Sequence, residues 1–162
     1  MAGHRIRNKL TLLVLGLTLA LTTAVLAQSP SSSATQAATE RGRAQFEAQC
    51  ASCHESDGRG TEGGPPPLQG SPWVKGPETR LIKIVLHGIR GKVEVNGKTY
   101  NLEMPGFGKV LADEDIAAVV SFVRGSWGGR SESITPVQVQ RVRDATRNRT
   151  DYWTVDELLQ DQ

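Results

Sequence analysis

Cys50-Ala51-Ser52-Cys53-His54 sets two thiols three residues apart, with an imidazole directly behind the second. In the pattern C-x-x-C-H the two thiols add to the two vinyl groups of haem, and the histidine falls onto the iron. The same groups also suit a structural disulfide in an oxidising compartment, a redox-active dithiol or zinc. Zinc fails first, because a structural site wants four ligands and only His87 remains besides His54 once the leader is set aside. The dithiol would need a strand-helix alternation that the chain lacks. One haem c, bound through two thioethers at Cys50 and Cys53 with His54 on the iron, is the expected cofactor.

An iron that shuttles electrons needs a second axial ligand, and methionine serves in cytochromes c. Met1 belongs to the leader, so Met104 is the candidate, fifty residues beyond His54 and followed by Pro105-Gly106-Phe107-Gly108. A methionine can instead fill a gap in a core. The rigid Pro-Gly setting favours a ligand loop. With both axial positions filled, no site is open to substrate, so the chain is expected to be an electron carrier and not an enzyme, with no catalytic residues. Two rivals remain: a haem protein in which Met104 does not bind, acting as a gas sensor or peroxidase-like enzyme, and a protein without haem whose cysteines form a disulfide.

Helices must position these groups. Gly42, Phe46 and Cys50 fall on one face of a helix that Thr39 could cap. The missing side chain at Gly42 would let another helix approach. A partner exists in the stripe Ile116, Val119, Val120, Val123 and Trp127. Between them Leu81, Ile82, Val85, Leu86 and Ile89 repeat with helical period, bounded by Gly76-Pro77 and Gly88. Val93 and Val95 before Asn96-Gly97, with Thr99-Tyr100 after it, predict a short hairpin just upstream of Met104. His87, at the end of the middle helix, reads as a capping or surface group and not an iron ligand.

The chain opens with basic residues and then runs uncharged from Leu10 to Ala27, ending Val25-Leu26-Ala27. That order predicts a signal peptide over residues 1–27 and an exported, periplasmic protein. An uncleaved membrane anchor is the alternative. The leader holds three of the 19 basic residues and none of the 17 acidic ones, which brings the mature charge to −1. No basic stripe suggests nucleic acid. Residues 28–38, rich in Ser, Ala, Gln and Thr, read as a flexible linker. A haem domain over 39–128 would have a marginal core at that length, to which haem would add apolar bulk.

Cys50-x-x-Cys53-His54, Gly64-Pro65-Pro66-Pro67-Leu68-Gln69-Gly70 and Met104-Pro105 together resemble the class I cytochrome c domain. Gly70-Ser71-Pro72-Trp73-Val74, Leu86-His87-Gly88-Ile89-Arg90-Gly91, Met104 to Gly108 and Ser126-Trp127-Gly128 are similar to small bacterial cytochromes associated with quinoprotein dehydrogenases. The resemblance implies an all-α cytochrome c fold in which the first and last helices cross, bringing Phe122 or its neighbours to Phe46. It implies that Pro66 turns its carbonyl toward the free ring nitrogen of His54, though three prolines could also simply stiffen a turn. It also implies redox partners, with a quinoprotein dehydrogenase as donor and a terminal oxidase or another cytochrome as acceptor. Where the family often has a serine starting its last helix this chain has Ala112, which leaves Asp113 as the candidate cap.

From 129 to 162 the chain is an extension. Thr135-Pro136-Val137-Gln138 and Thr154-Val155-Asp156-Glu157 match the capping-box pattern, so two short helices are expected, the first from Pro136 to about Thr146. Trp153 is its one tryptophan. The extension is expected to pack on the domain and cover apolar surface; a docking segment for a partner is the alternative.

Overall fold

The computed structural model describes residues 30–160. The expected leader, residues 1–27, lies outside them. Among the described residues seven helices and two short antiparallel ladders follow in order: α1 Pro30–Gln49, α2 Ala51–His54, α3 Pro72–Lys75, α4 Glu78–His87, β1 Gly88–Ile89, β2 Lys92–Val95, β3 Lys98–Asn101, β4 Met104–Pro105, α5 Asp113–Trp127, α6 Pro136–Ala145 and α7 Val155–Gln160. Among the described residues no helix is long and apolar enough to cross a membrane.

α1 starts nine residues before Thr39 and so runs through most of the segment expected to be a linker. Thr39 does not cap it; its hydroxyl donates to the Thr35 carbonyl at 3.0 Å, inside the helix. The segment is polar but helix-competent, with Ala34, Ala37 and Ala38 and no glycine. Its side chains from Ser33 to Arg41 are exposed, and burial starts only at Gly42.

The crossing of α1 and α5 is as expected. A Cβ at Gly42 would run into the Ala118 carbonyl and the Phe122 Cβ, so only glycine allows the approach. Beneath it Phe46 is fully buried, with its ring centroid 5.6 Å from that of Phe122 and 4.9 Å from that of Trp127. At the rim, Asp115 accepts from Arg41 Nε at 2.7 Å and from Gln45 Nε2 at 3.0 Å. α5 begins after Ala112, which offers no side-chain cap. Asp113 does not cap either. It is the first helical residue, and its carboxylate is taken by Arg143 at 2.8 Å. Asp113, Glu114 and Asp115 still complement the helix dipole in the first turn.

α4 buries Leu81, Ile82, Ile84 and Leu86, and Gly88 at φ 79 ends it. The hairpin forms as the sequence predicts, with Val93 opposite Tyr100 and Val95 opposite Lys98. Asn96 at φ 51 and Gly97 at φ 76 make its turn, the left-handed pair that suits a two-residue loop. Unforeseen are α3, opened by Ser71 accepting from Trp73 N at 3.2 Å, and the ladder pairing Gly88 with Pro105 and Ile89 with Met104. Arg124, buried on α5, donates to the carbonyls of Val74 at 3.3 Å and Gly76 at 2.7 Å.

The extension is ordered and packed. Both sides of the capping box at Thr135 and Gln138 are made, and at the second box Glu157 accepts from Thr154 N at 2.8 Å. Val139, Trp153 and Leu158 are buried. Trp153 extends the β1–β4 ladder through a parallel bridge to Ile89.

Candidate functional site

The chain turns once between Cys50 and His54. The amides of Cys53 and His54 both donate to the Cys50 carbonyl, at 3.1 and 2.9 Å, and Glu55 at φ 60 breaks the turn. One helical turn therefore gathers both thiols and the imidazole on the wall of a single cavity of about 390 Å³. Val74, Leu81, Ile84, Val85, Val119 and Val123 give that cavity apolar sides, and Met104 lines it too.

The loop after His54 folds back on it. Gly60 N donates to the His54 carbonyl at 3.0 Å, and Thr61 N donates to Pro65 O at 3.3 Å. Gly60 sits at φ 67, and a Cβ there would run into Pro65 and Pro66. This packing aims the Pro66 carbonyl at His54, whose Nδ1 lies 3.1 Å from it. With Nδ1–H donating, Nε2 is the ring nitrogen left for a metal. His54 is 8 % exposed; burial lowers its pKa, against the Pro66 bond, which raises it.

Burial, and secondarily the neighbouring Cys53, pushes the Cys50 thiol up to about 11. Cys50 is therefore not an activated thiolate of the kind that attacks in a redox dithiol. Among the described residues there is no group of three or more His, Cys, Asp or Glu side chains that could hold a metal ion by itself.

Met104 is half-buried on β4 and packs against the cluster of Ile84, Ile89, Trp153 and Leu158. The loop behind it closes onto the end of α4: Phe107 N donates to Val85 O at 2.8 Å and Gly108 N to Leu86 O at 3.0 Å. Those carbonyls lie in the last turn of α4, where intrahelical partners run out. Gly106 permits the contact, since a Cβ there would strike the His87 backbone. His87 is not among the residues that wall the cavity. Its Nε2 bonds the Thr146 hydroxyl at 2.7 Å, and its ring meets Trp153 edge-on at 6.3 Å.

The cavity has further walls that periodicity did not single out. Trp73 lines it while donating its indole N–H to Glu94 O at 3.0 Å, and Tyr100 and Leu102 line it from the hairpin side. Trp73 stood in the sequence only as part of a resembling stretch. An apolar cavity that carries two thiols, one oriented imidazole and one thioether fits a covalently held haem.

Residues 37–123 match the family model described as cytochrome C oxidase, cbb3-type, subunit III. The chain is 40 % identical over 89 residues to cytochrome c-552 of Thermus thermophilus, a match covering 52 % of this chain and 67 % of that protein. It is 38 % identical over 100 residues to the cytochrome c subunit of the quinone alcohol dehydrogenase of Gluconacetobacter polyoxogenes, covering 59 % of this chain and 21 % of that subunit. It is 40 % identical over 101 residues to the gluconate 2-dehydrogenase cytochrome c subunit of Pantoea cypripedii, covering 58 % and 22 %. The chain thus spans only about a fifth of those dehydrogenase subunits. The model match takes in more than half of the chain, so this protein belongs to the cytochrome c domain family described as cbb3-type subunit III and is a cytochrome c electron carrier with haem c as its cofactor.

Proposed function

We propose that this protein is an exported single-haem cytochrome that passes one electron at a time between larger redox proteins. Cys50 and Cys53 tether the haem, His54 and Met104 bind the iron, and the bound haem supplies a reversible one-electron couple. The observation that carries the reading is the His54–Pro66 bond on the wall of a cavity that Met104 also lines. Pro66 fixes the ring and makes the imidazole a stronger donor. The walls of the cavity are mostly apolar, and with the thioether of Met104 on the iron no position would be left for a substrate. A carrier follows, rather than an enzyme.

The partners we infer are a quinoprotein dehydrogenase as donor and a terminal oxidase or another cytochrome as acceptor, in line with relatives that are dehydrogenase cytochrome subunits and a cbb3-type oxidase subunit. Residues 1–27 would direct export, and residues 39–128 would form the haem domain with 129–162 packed on it.

Protein made in a host with haem-attachment machinery tests the assignment. A haem-stained band should survive denaturing electrophoresis and vanish when both cysteines are replaced by serine. The oxidised protein should show a sulfur-to-iron absorption band that Met104→Ala removes, with a fall in potential and new binding of carbon monoxide to the reduced form. Colour that extracts into acidified organic solvent would refute the covalent tether. Ready binding of carbon monoxide by the unaltered protein would refute Met104 ligation and favour the open-site sensor or enzyme.

A further inference from the structure

Two grips close on the loop that carries Met104, and both come from the segment after Gly129. The first is Arg143 on α6. Its guanidinium donates from Nη1 to the Gly108 carbonyl, from Nη2 to the Leu111 carbonyl at 3.1 Å and from Nε to the Asp113 carboxylate at 2.8 Å. The second is the strand-like segment at Trp153. Trp153 N donates to Gly88 O at 3.1 Å, and Arg90 N donates to Trp153 O at 2.9 Å. β1, held in this way, pairs directly with Met104 and Pro105.

The loop needs outside support. Between Met104 and α5 it contains two glycines, and Val110 in it is 70 % exposed. Arg143 reaches two carbonyls of this stretch and the first residue of α5 with one planar fork, which holds geometry as well as charge. Its side chain is 31 % exposed and that of Asp113 is 22 %, so the pair is partly shielded from water.

We infer that the C-terminal segment braces the methionine loop, and that Arg143 is a positioning residue that sets how firmly Met104 stays on the iron. The inference rests on the Met104 ligation proposed above. A competing ligand binds only when the sulfur has left, so its apparent affinity scales with the fraction of open loop. Loosening the loop therefore raises affinity for added ligands and lowers the potential, because the methionine ligand raises it.

The test uses the full-length haem-loaded protein in four forms: unaltered, Arg143→Ala, Arg143→Lys and Val139→Ala. Val139 is fully buried on α6 but makes none of the grips, so its variant controls for lost stability. Melting temperature, the sulfur-to-iron band, cyanide affinity of the oxidised form and the midpoint potential are measured for each. Arg143→Ala should weaken the band, lower the potential and tighten cyanide binding about tenfold, the factor that corresponds to ~1.4 kcal/mol. Arg143→Lys, which keeps the charge but loses the fork, should fall between it and the unaltered protein. Val139→Ala should melt earlier with the band and cyanide affinity unchanged.

Unchanged band, potential and cyanide affinity in Arg143→Ala overturn the brace, whatever happens to melting. Equal gains in cyanide affinity from Val139→Ala also overturn it, since general loosening would then suffice. Should Arg143→Ala fail to accumulate as folded protein, Arg143→Lys decides by the same measures. An unaltered protein without the band overturns the ligation reading itself and the brace with it, an outcome distinct from an unaltered protein that keeps the band while the Arg143 variants match it.

Discussion

The Nδ1 of His54 lies 3.1 Å from the carbonyl oxygen of Pro66, and Gly60 makes the contact possible by passing so close to Pro65 and Pro66 that it has no room for a side chain. Gly60→Ala should therefore push the Pro66 carbonyl away from the ring. The left-handed backbone at φ 67 adds its own cost, ~1–2 kcal/mol for a residue with a Cβ. A weaker bond at Nδ1 makes His54 a poorer donor, so the midpoint potential should rise as stability falls. Voltammetry of the variant beside a denaturant melt checks both; a potential that stays put would mean that the bond does not tune the iron.

Phe46 joins α1 to α5 through Phe122 and Trp127 and is fully buried. Phe46→Ala should cost about 3–5 kcal/mol, in line with large-to-small changes in close-packed cores. Denaturant unfolding of the haem-loaded protein reads this directly. A loss under ~1 kcal/mol would show that the crossing collapses to fill the void.

Trp153 is buried at 8 % exposure, with the Arg149 guanidinium 3.5 Å from its ring centroid and Lys83 at 5.2 Å. Its indole nitrogen is buried and has no hydrogen-bond partner. Burial and cation–π contact, rather than a polar bond, therefore anchor it. Trp153→Ala should cost about 3–5 kcal/mol, while Trp153→Phe, which keeps a ring and removes the orphaned N–H, should cost far less. Equal losses from the two variants would contradict this account.

Glu157 accepts from Arg149 at 2.8 Å and from the amide and hydroxyl of Thr154 at 2.8 and 2.9 Å. The Arg149 bond first, and then the Thr154 amide, hold its pKa down from 4.5 to about 2. A carboxylate whose pKa is lower in the folded state contributes stability above its unfolded pKa and loses it as pH falls through the folded value. Because the side chain is 44 % exposed, salt should screen the effect. The melting-temperature gap between the unaltered protein and Glu157→Gln should shrink from pH 4.5 to 2. A gap that stays constant over that range would remove the carboxylate from the acid response.

Much of this protein is local and therefore readable along the chain. One helical turn suffices to bring Cys50, Cys53 and His54 together, because all three lie within five residues. The hairpin turn needs only the left-handed tolerance of Asn96-Gly97, and the extension's helices start where Thr135 and Thr154 pair with residues three positions on. The spacing of Gly42, Phe46 and Cys50 marked one helix face and Gly42 a place for close approach, whereas the crossing with the last helix came from the family resemblance. Other features depend on residues far apart, and no local pattern carries them. Asp113 does not cap α5 because Arg143, thirty residues later, takes its carboxylate. The polar segment before Thr39, read as a flexible linker, proved compatible with a helix, since helical backbone bonds are made within the segment and need no buried face. The Met104 strand exists only because Gly88 and Ile89, themselves held by Trp153, supply it with partners. Backbone pairing between distant segments is decided by what the whole chain buries, and that is a property of the folded molecule rather than of any stretch of its sequence.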